Sequence, residues 1–300
     1  MNLIRNNIYN NNFIDRFNFN KRLGSGSFSD VYSVFDKKNN REVALKINKI
    51  NNTNFDNEIS ILSNLKQKER HNITKMFESF SYNHKQYIIF KMYNISLKEY
   101  IKGNESSITK TLDIINQISK CLVFLKKHSI IHCDIKPENI LFRDNLLNSI
   151  VVIDFGISIN NNYTIDRNKM IQTIYYRAPE ILIGTYFDYK IDIWSLGCVI
   201  YEIFYRKPLF QFKKTDELFL NQNILLDHPP YEFIKKFPKI YPFYDNIDSP
   251  SYLIYDNNIY AFKNYNFIAI HKEKQIIDLV LKCCQWEPKN RPIPENLVTL

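Results

Sequence analysis

The sequence predicts an α+β protein of two lobes: a small β-rich lobe with one helix over residues 17–92 and a larger, mainly helical lobe over 93–298, preceded by a flexible arm at 1–16. Three observations predict it. Up to about residue 92, apolar and β-branched residues come in short runs broken by turn residues. Beyond Asn94 they recur over longer stretches at helical spacing. A hydrophobic fraction of 45% in 300 residues suffices for cores of that size.

In chain order, FNFNKRLGS (17–25), SDVYSVFDK (29–37) and REVALKIN (41–48) read as an antiparallel meander. DNEISILSNLKQ (56–67) is a helix with Ile59, Leu62 and Leu65 on its buried face. ITKMFESFS (73–81) and QYIIFKM (86–92) are two further strands. SLKEYIKG (96–103) and TLDIINQISKCLVFLKKH (111–128) are amphipathic helices. SIVVI (149–153) is a short apolar strand among loops that run from His132 to Glu180. DIWSLGCVIYEIFY (192–205) is apolar nearly all round, which predicts a buried central helix. The remainder reads as loops and helices rich in Tyr, Phe and Pro.

Bulk properties narrow the function. The net charge of +9 is spread over scattered lysines with no run of five basic residues, so it argues for solubility and not for a nucleic-acid interface. Cys121, Cys133, Cys198, Cys283 and Cys284 are odd in number and unpatterned, which argues against a disulfide framework and, with no CxxC pair, against a structural zinc site. Residues 1–17 lack the apolar core of a signal peptide, and the apolar stretch from Ile193 to Tyr205 is too short to span a bilayer. These features predict an intracellular protein, cytoplasmic or nuclear, without a membrane segment.

The chemistry is concentrated in a few motifs. Leu23-Gly24-Ser25-Gly26-Ser27-Phe28-Ser29-Asp30-Val31 is a glycine-rich turn between two strands, where backbone N–H groups can approach phosphates. A strand follows it, so it is not a dinucleotide fingerprint. Val43-Ala44-Leu45-Lys46 lies on the next strand. A lysine holding a nucleotide's phosphates needs an acidic partner, and Asp56 and Glu58 both stand near the start of the following helix. Glu58 is the better placed if Ile59, Leu62 and Leu65 face the core. His132-Cys133-Asp134-Ile135-Lys136-Pro137-Glu138-Asn139 puts a carboxylate, a cation and an amide in one loop. Asp134 could orient an attacking hydroxyl and accept its proton, Lys136 could neutralise a migrating phosphoryl group, and Asn139 could ligate a metal. Asp154-Phe155-Gly156 follows fifteen residues after Asn139, with Asp154 a hard oxygen ligand for Mg²⁺.

In this order the motifs resemble those of the eukaryotic protein kinase superfamily over about residues 17–298, with Ala178-Pro179-Glu180 completing the set. The stretch from Gln172 to Glu180, IDIWSLGCVIYEIFYRKPLF and LLDHPPYEFIKK narrow the resemblance to the CMGC group, near the dual-specificity tyrosine-regulated and homeodomain-interacting kinases. The resemblance implies a bilobal kinase fold, ATP and Mg²⁺ as cofactors, protein substrates, no specific nucleic-acid binding and a monomer. It assigns Asp134, Lys136 and Lys46 to catalysis and Asn139 and Asp154 to the metal. It assigns Gly24, Ser25, Gly26, Ser27, Phe28, Ser29 and Glu58 to phosphate binding. Leu23, Val31, Ala44 and Leu141 would sandwich the adenine, with Phe90 as gatekeeper and Met92 in the hinge. Leu62, Met76, His132 and Phe155 would form the regulatory spine. Glu180 would pair with Arg291, and Asp192 would hydrogen-bond the catalytic loop. Thr173 resembles the threonine that contacts the catalytic aspartate, which implies Ser/Thr substrates.

The sequence departs from the family pattern in three respects. Ser29 replaces the third glycine, and Cys133 replaces the arginine that grips a phosphorylated activation loop. Met170 and Asn168 stand where relatives carry the phosphorylated residue. The latter two departures agree and predict activity without activation-loop phosphorylation. The alternative is a pseudokinase scaffold that binds nucleotide or partners without turnover.

Overall fold

The computed structural model describes residues 13–26, 28–49, 53–65, 72–105, 107–160, 171–211, 217–226, 229–235, 252–255, 258–261 and 273–298. Ser27, Asn168 and Met170 therefore lie outside the described residues. The chain divides into two compact units, one of residues 1–95 with 141–158 and one of 96–140 with 159–300.

The first unit is built on a five-stranded sheet of β1 (Phe17–Ser25), β2 (Ser29–Asp36), β3 (Arg41–Asn48), β4 (Met76–Tyr82) and β5 (Lys85–Lys91), in the order β1-β2-β3-β5-β4. Every neighbouring pair is antiparallel. The Asn83-His84 turn between β4 and β5 has φ of 45° and 58°, the left-handed pair that a tight hairpin needs. Side chains alternate across a strand, so the two faces of the sheet differ. Phe17, Val34, Val43, Leu45, Tyr87 and Ile89 pack as an apolar cluster on one face. On the other, register sets Val31 and Ile88 opposite Lys46, and Ser33 and Phe90 opposite Ala44.

Helix α2 (Thr53–Asn64) starts three residues before the stretch read from sequence and ends three before it. Its buried residues are Phe55, Glu58, Ile61 and Leu62, followed by Leu65 just past its end, while Ile59 is only half-buried. The apolar stripe is therefore rotated from the one the sequence suggested. A carboxylate occupies one of its core positions, because Lys46 meets it there.

Two boundaries are corrected. Residues 13–16, read as the end of a flexible arm, form a helical turn, α1. Arg16 anchors it, donating to Asp36 at 2.9 Å and to Glu78 at 2.8 Å. A contiguous split near residue 92 also fails, because residues 141–158 return to the first unit. There β7 (Ile140–Phe142) pairs with β8 (Ile150–Val152). The Phe142 N–H donates to the Ile95 carbonyl at 2.9 Å, and the Val152 N–H to the Asn72 carbonyl at 2.7 Å. Such backbone pairings across long sequence separation leave no local mark in the sequence.

The second unit is mainly helical. Ser96 and Glu99 form a capping box at the start of α3 (Leu97–Gly103), and Ser107 caps α4 (Ile108–Lys127). α4 buries Ile114, Ile115, Ile118, Cys121, Leu122 and Leu125 along one stripe. The short strands β6 (Ile130–Ile131) and β9 (Ile159–Asn160) pair with each other. α5 (Pro179–Leu182) is a single turn, and α6 (Lys190–Tyr205) is buried along nearly its whole length, as its all-round apolar sequence predicts. It packs on α4 and on α9 (Lys274–Cys283). α7 (Glu217–Leu226) and α8 (Tyr231–Lys235) lie between them in sequence. The hairpin of β10 (Tyr252–Tyr255) and β11 (Asn258–Ala261) was not foreseen in a stretch read as loops and helices.

Gly197 sets how close α6 and α9 come. A Cβ there would lie 2.6 Å from Cys284 Sγ and 2.8 Å from Cys283 Cβ. Gly197→Ala should destabilise the second unit by about 1–3 kcal/mol through overpacking. Chemical denaturation would reveal it, and an unchanged midpoint would show that the helices separate freely.

Candidate active site

Each unit carries one constellation of charged side chains. In the first, Lys46 projects from β3 on the sheet face opposite the apolar cluster. Its Nζ lies 2.6 Å from Glu58 Oε2 and 2.8 Å from Asp154 Oδ1. Glu58 Oε1 accepts the Phe155 N–H at 3.2 Å, so one carboxylate holds both the lysine and the backbone after Asp154. Asp56, the other candidate, is exposed and bonded to Gln86 instead. Burial disfavours the Lys46 ammonium, but Asp154 and Glu58 outweigh it and raise its pKa above the ordinary lysine value. Asp154 sits at φ 65°, a left-handed conformation that Asp tolerates better than most residues. Its side chain remains 45% exposed, which leaves a hard carboxylate oxygen donor accessible for Mg²⁺.

Around this set, Val31, Ala44 and Phe90 share a sheet face with Lys46, an apolar lining suited to a flat base. Met92 and Leu141 are half-buried in the same unit, and Leu62, Met76 and Phe155 are buried there. In the glycine-rich turn, Gly24 pairs with Val31 and Ser25 with Asp30. Leu23 and Phe28 are exposed. The Gly26 N–H donates to the Ser29 carbonyl at 2.9 Å, closing the turn on itself. Lys49, which the sequence reading passed over, braces this turn through Ser25 Oγ at 3.0 Å and the Gly26 carbonyl at 2.8 Å.

The second constellation centres on Asp134. Its Oδ1 accepts from the Thr173 hydroxyl at 2.7 Å and the Thr173 N–H at 3.1 Å. Its Oδ2 lies 2.8 Å from Lys136 Nζ and accepts from Asn139 Nδ2 at 2.9 Å. Lys136 also reaches Thr173 Oγ1 at 2.8 Å. Asn139 makes these contacts through Nδ2, including one to the Asp134 carbonyl at 2.9 Å, so its Oδ1 is the atom suited to a cation.

The loop is held from below. Asp192 on α6 accepts the His132 N–H at 2.7 Å and the Cys133 N–H at 3.0 Å. Burial pushes the Asp192 pKa up to about 7, against those two hydrogen bonds. Cys133 is fully buried at φ 66°. Its thiol donates to the Ile131 carbonyl at 3.5 Å. The activation segment is fastened by Gln172, whose side chain bonds the Ile191 carbonyl, Ser195 Oγ and the Ala178 N–H at 2.7–3.0 Å. Arg291 and Glu180 form a buried bidentate pair, with Nη2–Oε2 at 2.8 Å.

This fold, with a lysine–carboxylate set on a β unit and an aspartate-centred loop on a helical unit, defines a protein kinase domain. A family profile described as the protein kinase domain matches residues 17–299, and the chain belongs to that family. Its narrower similarity is to the dual specificity tyrosine-phosphorylation-regulated kinases. It is 32% identical over 296 residues to kinase 2 of that name from Drosophila melanogaster, covering 94% of this chain and 40% of the relative. It is 31% identical over 294 residues to kinase 4 from Homo sapiens, covering 94% and 56%. A probable serine/threonine-protein kinase, dyrk2, from Dictyostelium discoideum is 32% identical over 300 residues, covering 94% and 32%. The chain thus spans between about a third and just over half of the length of these relatives. Among the described residues, no helix is long and apolar enough to cross a membrane.

Proposed function

We propose that the chain transfers the γ-phosphate of ATP to Ser or Thr hydroxyls of protein substrates. The observation that carries this reading is the Lys46–Glu58–Asp154 set, complete, with Lys46 donating to both carboxylates. A scaffold that binds partners without nucleotide has no need to hold a buried ammonium between two carboxylates, and Asp134, bonded to Thr173, Lys136 and Asn139, adds a group that transfer requires and nucleotide binding alone does not.

In this reading Val31, Ala44, Phe90, Leu23, Met92 and Leu141 receive the adenine, and the turn from Gly24 to Ser29 covers the phosphates. Lys46 holds the α- and β-phosphates, and Glu58 fixes Lys46. Asp154 Oδ and Asn139 Oδ1 are the oxygen donors assigned to Mg²⁺, which when bound supplies charge neutralisation at the triphosphate. Asp134 orients the substrate hydroxyl and accepts its proton as the oxygen bonds to the γ-phosphorus. The bond to the β,γ-bridging oxygen breaks, and ADP leaves. Lys136 offsets the charge on the transferring group. Thr173, bonded to both Asp134 and Lys136, fits Ser/Thr substrates. A monomer working inside the cell, in the cytoplasm or nucleus, belongs to the same proposal.

The test is transfer of radiolabelled γ-phosphate to a generic basic protein, followed by phosphoamino-acid analysis. Wild type should label Ser and Thr, and Lys46→Met should lower the rate by about a hundredfold or more. An inert wild type, or a Lys46→Met variant as fast as wild type, would defeat the proposal.

A further inference from the structure

Asn57, beside Glu58 on α2, makes contacts that no motif anticipates. Its Nδ2 donates to the Gly156 carbonyl at 3.0 Å and the Ser158 carbonyl at 2.8 Å, with the Phe155 carbonyl at 3.5 Å. Glu58 takes the N–H side of the same turn, at Phe155. Two successive residues of one helix therefore engage both the donors and the acceptors of the segment that follows Asp154. That segment lies close to the helix, since a Cβ at Gly156 would touch the Asn54 carbonyl at 3.6 Å and Asn54 Cβ at 3.7 Å. The Ser158 N–H turns back to the Phe155 carbonyl at 3.2 Å, so the carbonyls that Asn57 collects belong to a compact turn.

The arrangement has a consequence for Asp154. Its left-handed backbone is a strained conformation that persists only where its surroundings impose it. The carbonyls just after it face α2, and without an amide donor they would have to find water. We infer that Asn57 is a positioning residue that clamps α2 to the Asp154–Ser158 turn, so that Lys46, Glu58 and Asp154 stay assembled. This rests on the kinase reading above for what that set does. Asn57 itself touches neither Lys46 nor the carboxylate of Asp154 in its hydrogen bonds and acts through the backbone.

Asn57→Asp tests the inference because it keeps the shape and removes both donors, turning an acceptor toward carbonyl oxygens; Asn57→Ala removes the side chain. Both should lower kcat about tenfold or more, leave KM for the protein substrate within about twofold, and speed hydrogen exchange at Phe155–Ser158. Exchange in β2, β3 and β5 and the melting temperature should hold. Unchanged exchange and kcat in Asn57→Asp would overturn the clamp. So would a loss that merely tracks a fall in melting temperature and faster exchange throughout the first unit. If wild type transfers no phosphate, the kinase reading fails by itself, and the exchange measurement still decides the clamp.

Discussion

Asp134→Asn should lower kcat by roughly 10²–10⁴-fold, the range general-base removal produces, while nucleotide affinity measured calorimetrically changes little. The carboxylate sits among donors only: Thr173 hydroxyl and N–H on one oxygen, Lys136 and Asn139 on the other. An amide at this position keeps one acceptor but cannot take the hydroxyl proton. Its NH₂ must also face a donor, which loosens either Thr173 or Asn139 and misorients the loop. The phosphate contacts assigned to Lys46 are untouched, so the loss belongs in kcat and not in binding. A variant within about threefold of wild type would remove Asp134 from the mechanism, since base removal at a working site costs far more.

Arg291→Met should cost the second unit about 3–5 kcal/mol, because it strands a buried carboxylate. Glu180 and Arg291 are essentially solvent-free, with side-chain exposures of 1% and 0%. Arg291 also donates to the carbonyls of Gln285 at 2.8 Å, Lys190 at 3.1 Å and Trp286 at 3.2 Å. Its guanidinium carbon lies 5.0 Å from the Trp194 ring centroid. Removing it thus releases the α6 start and the segment after α9 together. Denaturant unfolding should show the loss. Adding Glu180→Leu should restore much of it, because the penalty comes from an unpaired charge and not from lost volume. A single variant as stable as wild type would mean water reaches Glu180.

Much of the candidate site was legible because its motifs are local. The Asp134–Asn139 loop carries its carboxylate, cation and amide within six residues, and Lys46 stands on the strand after the glycine-rich turn with Glu58 on the helix that follows. The all-round apolar pattern of α6 announced its burial in the same way. Asp192 and the Glu180–Arg291 pair were reached through the family resemblance, and their partners are where it put them. The choice between Asp56 and Glu58 went the expected way for a partly mistaken reason. The buried stripe runs through Phe55, Ile61, Leu62 and Leu65, and Ile59 stands at its edge. Arg16, Lys49 and Asn57 carried no signal, since a surface-type residue in a polar stretch looks the same whether or not a distant carbonyl or carboxylate awaits it.

By itself, the sequence determined the strands of the five-stranded sheet, the helices α2, α4 and α6, and which side chains carry charge at the site, because periodicity, capping and motif spacing act over a few residues. Only the tertiary structure decided that residues 141–158 join the β unit, that α2 turns Glu58 inward to Lys46, and that Asn57 meets the turn after Asp154. Those outcomes depend on hydrogen bonds and packing between residues from 12 to 101 positions apart, whose partners are chosen by the folded backbone and not by local pattern.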